Sequence, residues 1–244
     1  MATVFCLAGA FGIPDFLKFQ LQGKITQGKT YVPIVYPNFG IEDWRMEAGR
    51  EMLDQALHDF SGPKTVFGHS MGARVVNLWL REYGQSTPFN PNELEFYCIG
   101  NSTRRYGGPL FTEERGCPVD TPYKVIDIAR QYDGWADYPD DRSNSDAALN
   151  AIMGQQYIHT DYYNIDPNPS ATGNYKFVEG NVTYVWNATY PLPKIQQYNP
   201  TKAMLGLLNL FQVTSAAKQK DQEERPGIEA AYTRPVAIPA PSYT

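Results

Sequence analysis

Ser70 lies in Thr65-Val-Phe-Gly-His-Ser-Met-Gly-Ala-Arg74, a short apolar run that passes through Gly-x-Ser-x-Gly into helical spacing. A serine on so sharp a strand-to-helix turn exposes its hydroxyl, and Gly68 and Gly72 are the small neighbours such a turn requires. The chemistry indicated is nucleophilic attack on an acyl carbonyl. It needs a base to take the serine proton and a third group to orient that base. The chain has three histidines. His58 falls inside a helical pattern and reads as structural. His69 adjoins the serine, where neighbouring side chains diverge. His159 follows all other candidates, in the chain order Ser, Asp, His of this kind of hydrolase, and is the expected base.

The acid should stand where a strand ends. Val125-Ile-Asp-Ile-Ala-Arg-Gln-Tyr132 runs into Asp133-Gly-Trp-Ala-Asp137. Asp133, at the exit, is the first choice and Asp137 the alternative. Asp127, mid-strand, reads as buried with a structural partner. An oxyanion hole takes two backbone N–H groups. Met71, following the serine, is expected to give one. Ala10, in the loop after the first strand, is expected to give the other, or Phe11 if that loop is rotated by one residue. The cysteine spacings and His159-Thr-Asp161 match no metal-ligand pattern, so neither metal nor cofactor is expected.

Stepping along the chain, apolar runs at 3–8, 31–36, 65–67, 95–100 and 124–129 read as strands. Ile41, Trp44, Ala48, Met52, Ala56 and Phe60 recur at helical spacing, and a second apolar helix face follows Ser70. Strands alternating with helices predict a mostly parallel sheet in a three-layer α/β/α sandwich, the α/β-hydrolase class. Residues 101–122 form a loop long enough to be functional. A β-hairpin is expected over 175–186 and a short apolar helix over 202–215. The predicted organisation is one catalytic domain over 1–215. An extended or disordered arm, 216–244, follows it, charged and then rich in Pro and Ala.

The chain has 244 residues, 42% hydrophobic and 19% charged, ordinary values for one globular domain. A net charge of −5 with no basic run disfavours nucleic acid as a partner. No run approaches the ~20 apolar residues of a membrane span, and the start lacks a charged n-region. With three cysteines, Cys6 and Cys98 in apolar runs read as buried thiols, whereas Cys117 has no evident role.

In order along the chain, several segments resemble the PE-PPE domain, a mycobacterial family of serine α/β-hydrolases related to cutinases. They are Gly68-His-Ser-Met-Gly72, Ile99-Gly-Asn-Ser-Thr-Arg-Arg-Tyr-Gly-Gly108, Tyr132-Asp-Gly-Trp-Ala-Asp-Tyr-Pro139, Asn150-Ala-Ile-Met-Gly154 with His159 and Tyr162, and Thr183-Tyr-Val-Trp186 through Tyr190-Pro-Leu-Pro193. The resemblance implies an esterase or lipase with Ser70, Asp133 and His159 as its triad, acting on acyl-ester or lipid substrates. It also implies an alternative, transfer of acyl groups between trehalose lipids. A non-catalytic virion module on the same fold is the third reading. With no PE or PPE module or secretion signal in the sequence, the expected setting is cytoplasmic or phage-associated, with a mycobacteriophage as source. The Pro/Ala-rich arm suits docking onto a protein partner.

Overall fold

The computed structural model describes residues 1–87, 89–196 and 215–242. Along the chain run β1 (Thr3–Leu7), β2 (Thr30–Pro33), α1 (Asp43–Asp59), β3 (Lys64–His69), α2 (Met71–Tyr83), β4 (Leu94–Ile99) and β5 (Lys124–Arg130). After these come α3 (Ser145–Tyr157), β6 (Asn174–Glu179), β7 (Val182–Asn187), α4 (Pro193–Gln196) and α5 (Ser215–Glu229). The strands form one seven-stranded sheet in the order β2-β1-β3-β4-β5-β7-β6. It is parallel throughout except for the β6–β7 hairpin, whose antiparallel register pairs Asn174 with Asn187 and Glu179 with Val182.

Alternation along the central strands explains the layering, because successive side chains of a strand point to opposite faces. Phe5, Leu7, Val66 and Phe96 face the core beneath α1 and α2, where Trp79 and Leu80 are fully buried. Val4, Cys6, Phe67, Ile126 and Ile128 face the other side. That side is closed by the 3-10 turns Pro14–Lys18 and Gln20–Gly23, which bury Leu17 and Leu21, and by Tyr162 and Ile165. Such a sheet, with helices and a strand–serine–helix turn at its centre, is the α/β-hydrolase fold.

The long 101–122 loop is pinned by a fully buried ion pair. Arg104 reaches Asp127 on β5 at 2.7 Å and donates to the Val185 carbonyl at 3.1 Å. Its guanidinium also stacks 4.2 Å from the Trp186 ring. Asp127 thus has the structural partner expected for it. The cysteines are free and buried, including Cys117, whose polar sequence surroundings gave no hint of burial.

Two parts of the chain depart from expectation. Helix α3 carries no apolar stripe in the sequence, because its inward residues Ala147, Asn150, Ala151 and Gly154 are small or polar. Asn144 caps it by accepting the Ala147 N–H at 3.0 Å, as N-cap residues do. The larger correction concerns 216–244. Instead of an extended or disordered arm, Ser215–Glu229 forms α5, which buries Asp221, Arg225 and Ile228. The charges that look solvated in the sequence neutralise one another: Arg225 pairs with Asp221 one turn earlier at 2.8 Å and donates to the Tyr132 hydroxyl at 2.8 Å. Among the described residues past Tyr232 there is no helix or strand, but Val236 and Ile238 still pack on the main core. The apolar helix expected over 202–215 lies, but for Ser215, outside the described residues.

Candidate active site

Ser70 caps β3 and precedes α2 with φ 55° and ψ −115°, a conformation that L side chains seldom adopt. The surrounding backbone enforces it. A Cβ on Gly72 would stand 2.1 Å from the Leu7 carbonyl oxygen, and one on Gly68 would stand 2.6 Å from the carbonyl oxygen of Gly72. Neither position therefore accepts a side chain, and strand and helix close on each other around the serine.

His159 sits in the turn after α3, held there by its N–H bond to the Gly154 carbonyl at 3.1 Å. Its Nε2 is 2.9 Å from Ser70 Oγ, and its Nδ1 is 3.0 Å from both carboxylate oxygens of Asp133. Asp133 is completely buried at the exit of β5. Burial alone would raise its pKa. The charge of His159 and the bonds donated by His159, Tyr162 and the Trp135 N–H outweigh it and hold the carboxyl below the usual value. An ionised carboxylate only accepts. The Nδ1 of His159 must then carry the proton, which leaves the Nε2 lone pair facing the serine hydroxyl.

Of the two candidate acids, Asp133 is the one beside His159. Asp137 is equally buried but is committed elsewhere, accepting from the Tyr132 N–H at 2.7 Å and the Trp186 indole at 3.1 Å. Arg234, from beyond α5, contacts both of its oxygens, at 2.9 and 2.6 Å. Among the oxyanion candidates, the Phe11 N–H is spent on the Asn38 carbonyl at 2.9 Å. No backbone acceptor takes the Ala10 N–H among the described residues. Met71 is the first residue of α2, where an N–H has no partner within the helix. His58, with its side chain 47% exposed, stands apart on α1 beside Asp54.

Two supporting residues carried no sequence signal of this role. The Tyr162 hydroxyl donates to Asp133 Oδ2 at 2.6 Å and accepts the Arg130 N–H at 3.1 Å, which braces the carboxylate against the strand end. His69 turns away from the serine. Its Nε2 bonds the His159 carbonyl at 3.0 Å, and its ring lies 4.9 Å from that of His159. A carbonyl only accepts, so this nitrogen carries the proton of a neutral imidazole. Burial, aided by the charge of His159, pushes the His69 pKa from 6.5 to about 3.

That shift has a signed consequence. Between pH 6.5 and about 3 the unfolded chain binds a proton at His69 that the folded chain refuses, so stability falls with pH across that window. Acidification from pH 7 to pH 4.5 should cost on the order of 2 kcal/mol from this group. Urea unfolding at the two pH values tests it. His69→Gln should flatten the dependence, and an equally steep dependence in that variant would assign the loss to other groups. The contribution of Asp133 is distinct, since a depressed carboxyl stabilises fully above its ordinary value of 3.8 and loses that effect only at lower pH.

The serine opens into a cavity of about 920 Å³. Phe11, Ile13, Phe16, Leu110 and Trp135 give it a mainly apolar lining, and Ile41 stands at its edge with 71% of its surface exposed. No group of three or more potential metal ligands occurs among the described residues. No helix among them is long and apolar enough to cross a membrane.

Comparison with known proteins matches residues 42–232 to the PE-PPE domain family. Esterase PE16 of Mycobacterium tuberculosis is 32% identical over 149 residues, which cover 54% of this chain and 28% of that protein. Diacyltrehalose acyltransferase Chp2 of the same organism is 26% identical over 215 residues, 78% of this chain and 58% of its own length. The chain therefore spans from about a quarter to somewhat over half of these relatives. Among solved structures, a cutinase-like protein from Cryptococcus sp. aligns with a TM-score of 0.45 at 18% identity, over 56% of this chain and 79% of that one.

Proposed function

The chain belongs to the PE-PPE domain family, and from that premise we propose that it is a serine carboxylic-ester hydrolase acting on lipid esters. Acyl-ester chemistry is common to the names of its relatives, an esterase and an acyltransferase. The observation that carries the reading is the continuous line from Ser70 Oγ through His159 to the buried Asp133, with bonds of 2.9 and 3.0 Å, at the wall of an apolar cavity.

In this reading Ser70 Oγ attacks the ester carbonyl carbon while His159 Nε2 takes the hydroxyl proton. Asp133 keeps the imidazole in the required tautomer and stabilises the imidazolium. The N–H groups of Met71 and Ala10 hold the oxygen that becomes negative. As the tetrahedral adduct collapses, the C–O bond to the alcohol breaks and His159 returns its proton to the departing oxygen. A water deprotonated by His159 then attacks the acyl-serine, releasing the acid and restoring the serine. The apolar walls suit an acyl chain. An alcohol in place of water would give acyl transfer through the same acyl-serine.

Reaction with a fluorophosphonate, followed by intact-mass analysis, tests the proposal. One adduct per chain is expected, absent from Ser70→Ala and blocked by prior incubation with a p-nitrophenyl ester. A folded wild-type protein that neither labels nor turns over an ester would remove it.

A further inference from the structure

Near Ser70 the apolar cavity carries a charged corner formed by Arg74, Arg115 and Asp43. Arg74 lies four residues beyond the serine, in the first turn of α2, and both side chains line the same cavity. Its side chain is only 11% exposed. Nonetheless its guanidinium makes no hydrogen bond among the described residues, and its nearest carboxylate oxygen, on Asp43, is 3.7 Å away. Arg115, arriving on the 101–122 loop, is 3.9 Å from the other oxygen of Asp43, again beyond hydrogen-bond reach. The Asp43 side chain is 68% exposed.

These facts are unusual together. A guanidinium has five donors, and one this shielded normally spends them on carbonyls or carboxylates. Arg104 and Arg225 in the same molecule do so. Arg74 instead has only the 3.7 Å ion-pair contact to Asp43 and no hydrogen bond among the described residues, so its donors face the open cavity. The corner also holds two positive charges against one negative. An oxyanion would offset that excess at Arg74, the most shielded of the three, and supply two acceptors in the geometry a guanidinium matches.

We propose that Arg74, with Arg115, forms a subsite for an oxyanion group (carboxylate, sulfate or phosphate) borne by the ester substrate. The proposal rests on the serine-esterase reading for its place in catalysis. Because Arg74 and Ser70 line the same cavity, the charge can stand on either the acyl or the alcohol portion of the ester. Asp43 competes for the same donors and weakens the site.

The experiment compares kcat/KM for three esters: neutral p-nitrophenyl valerate, mono-p-nitrophenyl glutarate with its charge on the acyl side, and 4-(butyryloxy)benzoate with its charge on the leaving side. For at least one charged ester, Arg74→Gln should lose about 10- to 100-fold more than it loses on the neutral ester, the range for charge-assisted hydrogen bonds. Whichever charged ester shows the loss identifies the side that carries the anion. Asp43→Asn should move the charged-to-neutral ratio in the opposite direction. Equal losses of Arg74→Gln on all three esters would overturn the proposal. Arg115→Gln, on a half-exposed residue, and Arg74→Lys give the same reading should Arg74→Gln not fold. Calorimetric binding of hexyl sulfate against hexanol separates the two readings. If no ester is turned over, yet sulfate binding is lost in the Arg74 variants, the subsite stands and the esterase reading falls. Sulfate binding indifferent to Arg74 and Arg115, together with no charge preference in turnover, would leave only a hydrated surface arginine.

Discussion

Replacing Ser70 with alanine is expected to lower ester turnover by about a million-fold, and replacing Asp133 with asparagine by about ten-thousand-fold, with the fold intact in both. In the proposed reaction the first change removes the atom that forms the acyl bond. Ser70 is small and sits at the cavity wall, so its loss leaves the core undisturbed. The second is subtler. An asparagine amide facing His159 Nδ1 offers a donor where the carboxylate offered only acceptors. The imidazole then favours the tautomer with its proton on Nε2, which cannot receive the serine proton. The bond from Tyr162, 2.6 Å in length, persists to the amide oxygen, while the bond from the Trp135 N–H to the other oxygen is lost, so the side chain is still held by Tyr162 while proton transfer fails. Steady-state kinetics with a p-nitrophenyl ester, alongside circular dichroism, reads both effects. An Asp133→Asn enzyme with near-normal kcat would remove this aspartate from the mechanism.

The second large effect concerns stability rather than chemistry. Arg234→Met should destabilise the fold by about 3–5 kcal/mol, the usual result of stripping one partner from a buried ion pair. Arg234 is 7% exposed, contacts both oxygens of Asp137, pairs with Glu229 at 2.9 Å and lies 4.1 Å from the Tyr232 ring. Without it, the buried Asp137 carboxylate keeps only the neutral donors Tyr132 N–H and Trp186 Nε1. Adding Asp137→Asn to Arg234→Met should recover part of the loss, because no uncompensated charge then remains. Urea unfolding of the two single variants and the double one measures this coupling. Simple additivity would mean that the pair contributes packing rather than charge compensation. The same contact has a catalytic side: Asp137 anchors the Tyr132 N–H, and Tyr132, at φ 69°, sets the direction in which the chain delivers Asp133. A folded Arg234→Met enzyme should therefore lose kcat as well.

Much of the fold was legible because its signals are local. Apolar runs of strand length, helical spacing on α2, and small residues flanking Ser70 each encode a conformation within a few residues. On α1 the helix is as expected but its face is not: Ile41, Trp44 and Met52 are exposed, and Met46, Gly49, Leu53 and Leu57 turn inward. Helix α3 escaped because its buried face is built of Ala, Gly and the polar Asn150. Helix α5 escaped because its charges are compensated by distant residues, Arg225 meeting the Thr189 carbonyl and the Tyr132 hydroxyl. Composition cannot distinguish that helix from a solvated arm.

By itself the sequence determined a serine on a strand-to-helix turn, the parallel sheet that carries it, and a short roster of partners in the right chain order. Only the tertiary structure decided which aspartate faces His159, that the Phe11 N–H is already engaged, that Tyr162 braces the carboxylate, and that Arg74 lines the cavity with Asp43 as its ion-pair partner. The physical reason is range. Backbone conformation follows from neighbours, whereas the direction of a side chain at a strand exit depends on groups far along the chain. Asp137 is drawn to Arg234 across 97 residues of sequence, and Asp133 is left to His159 across 26.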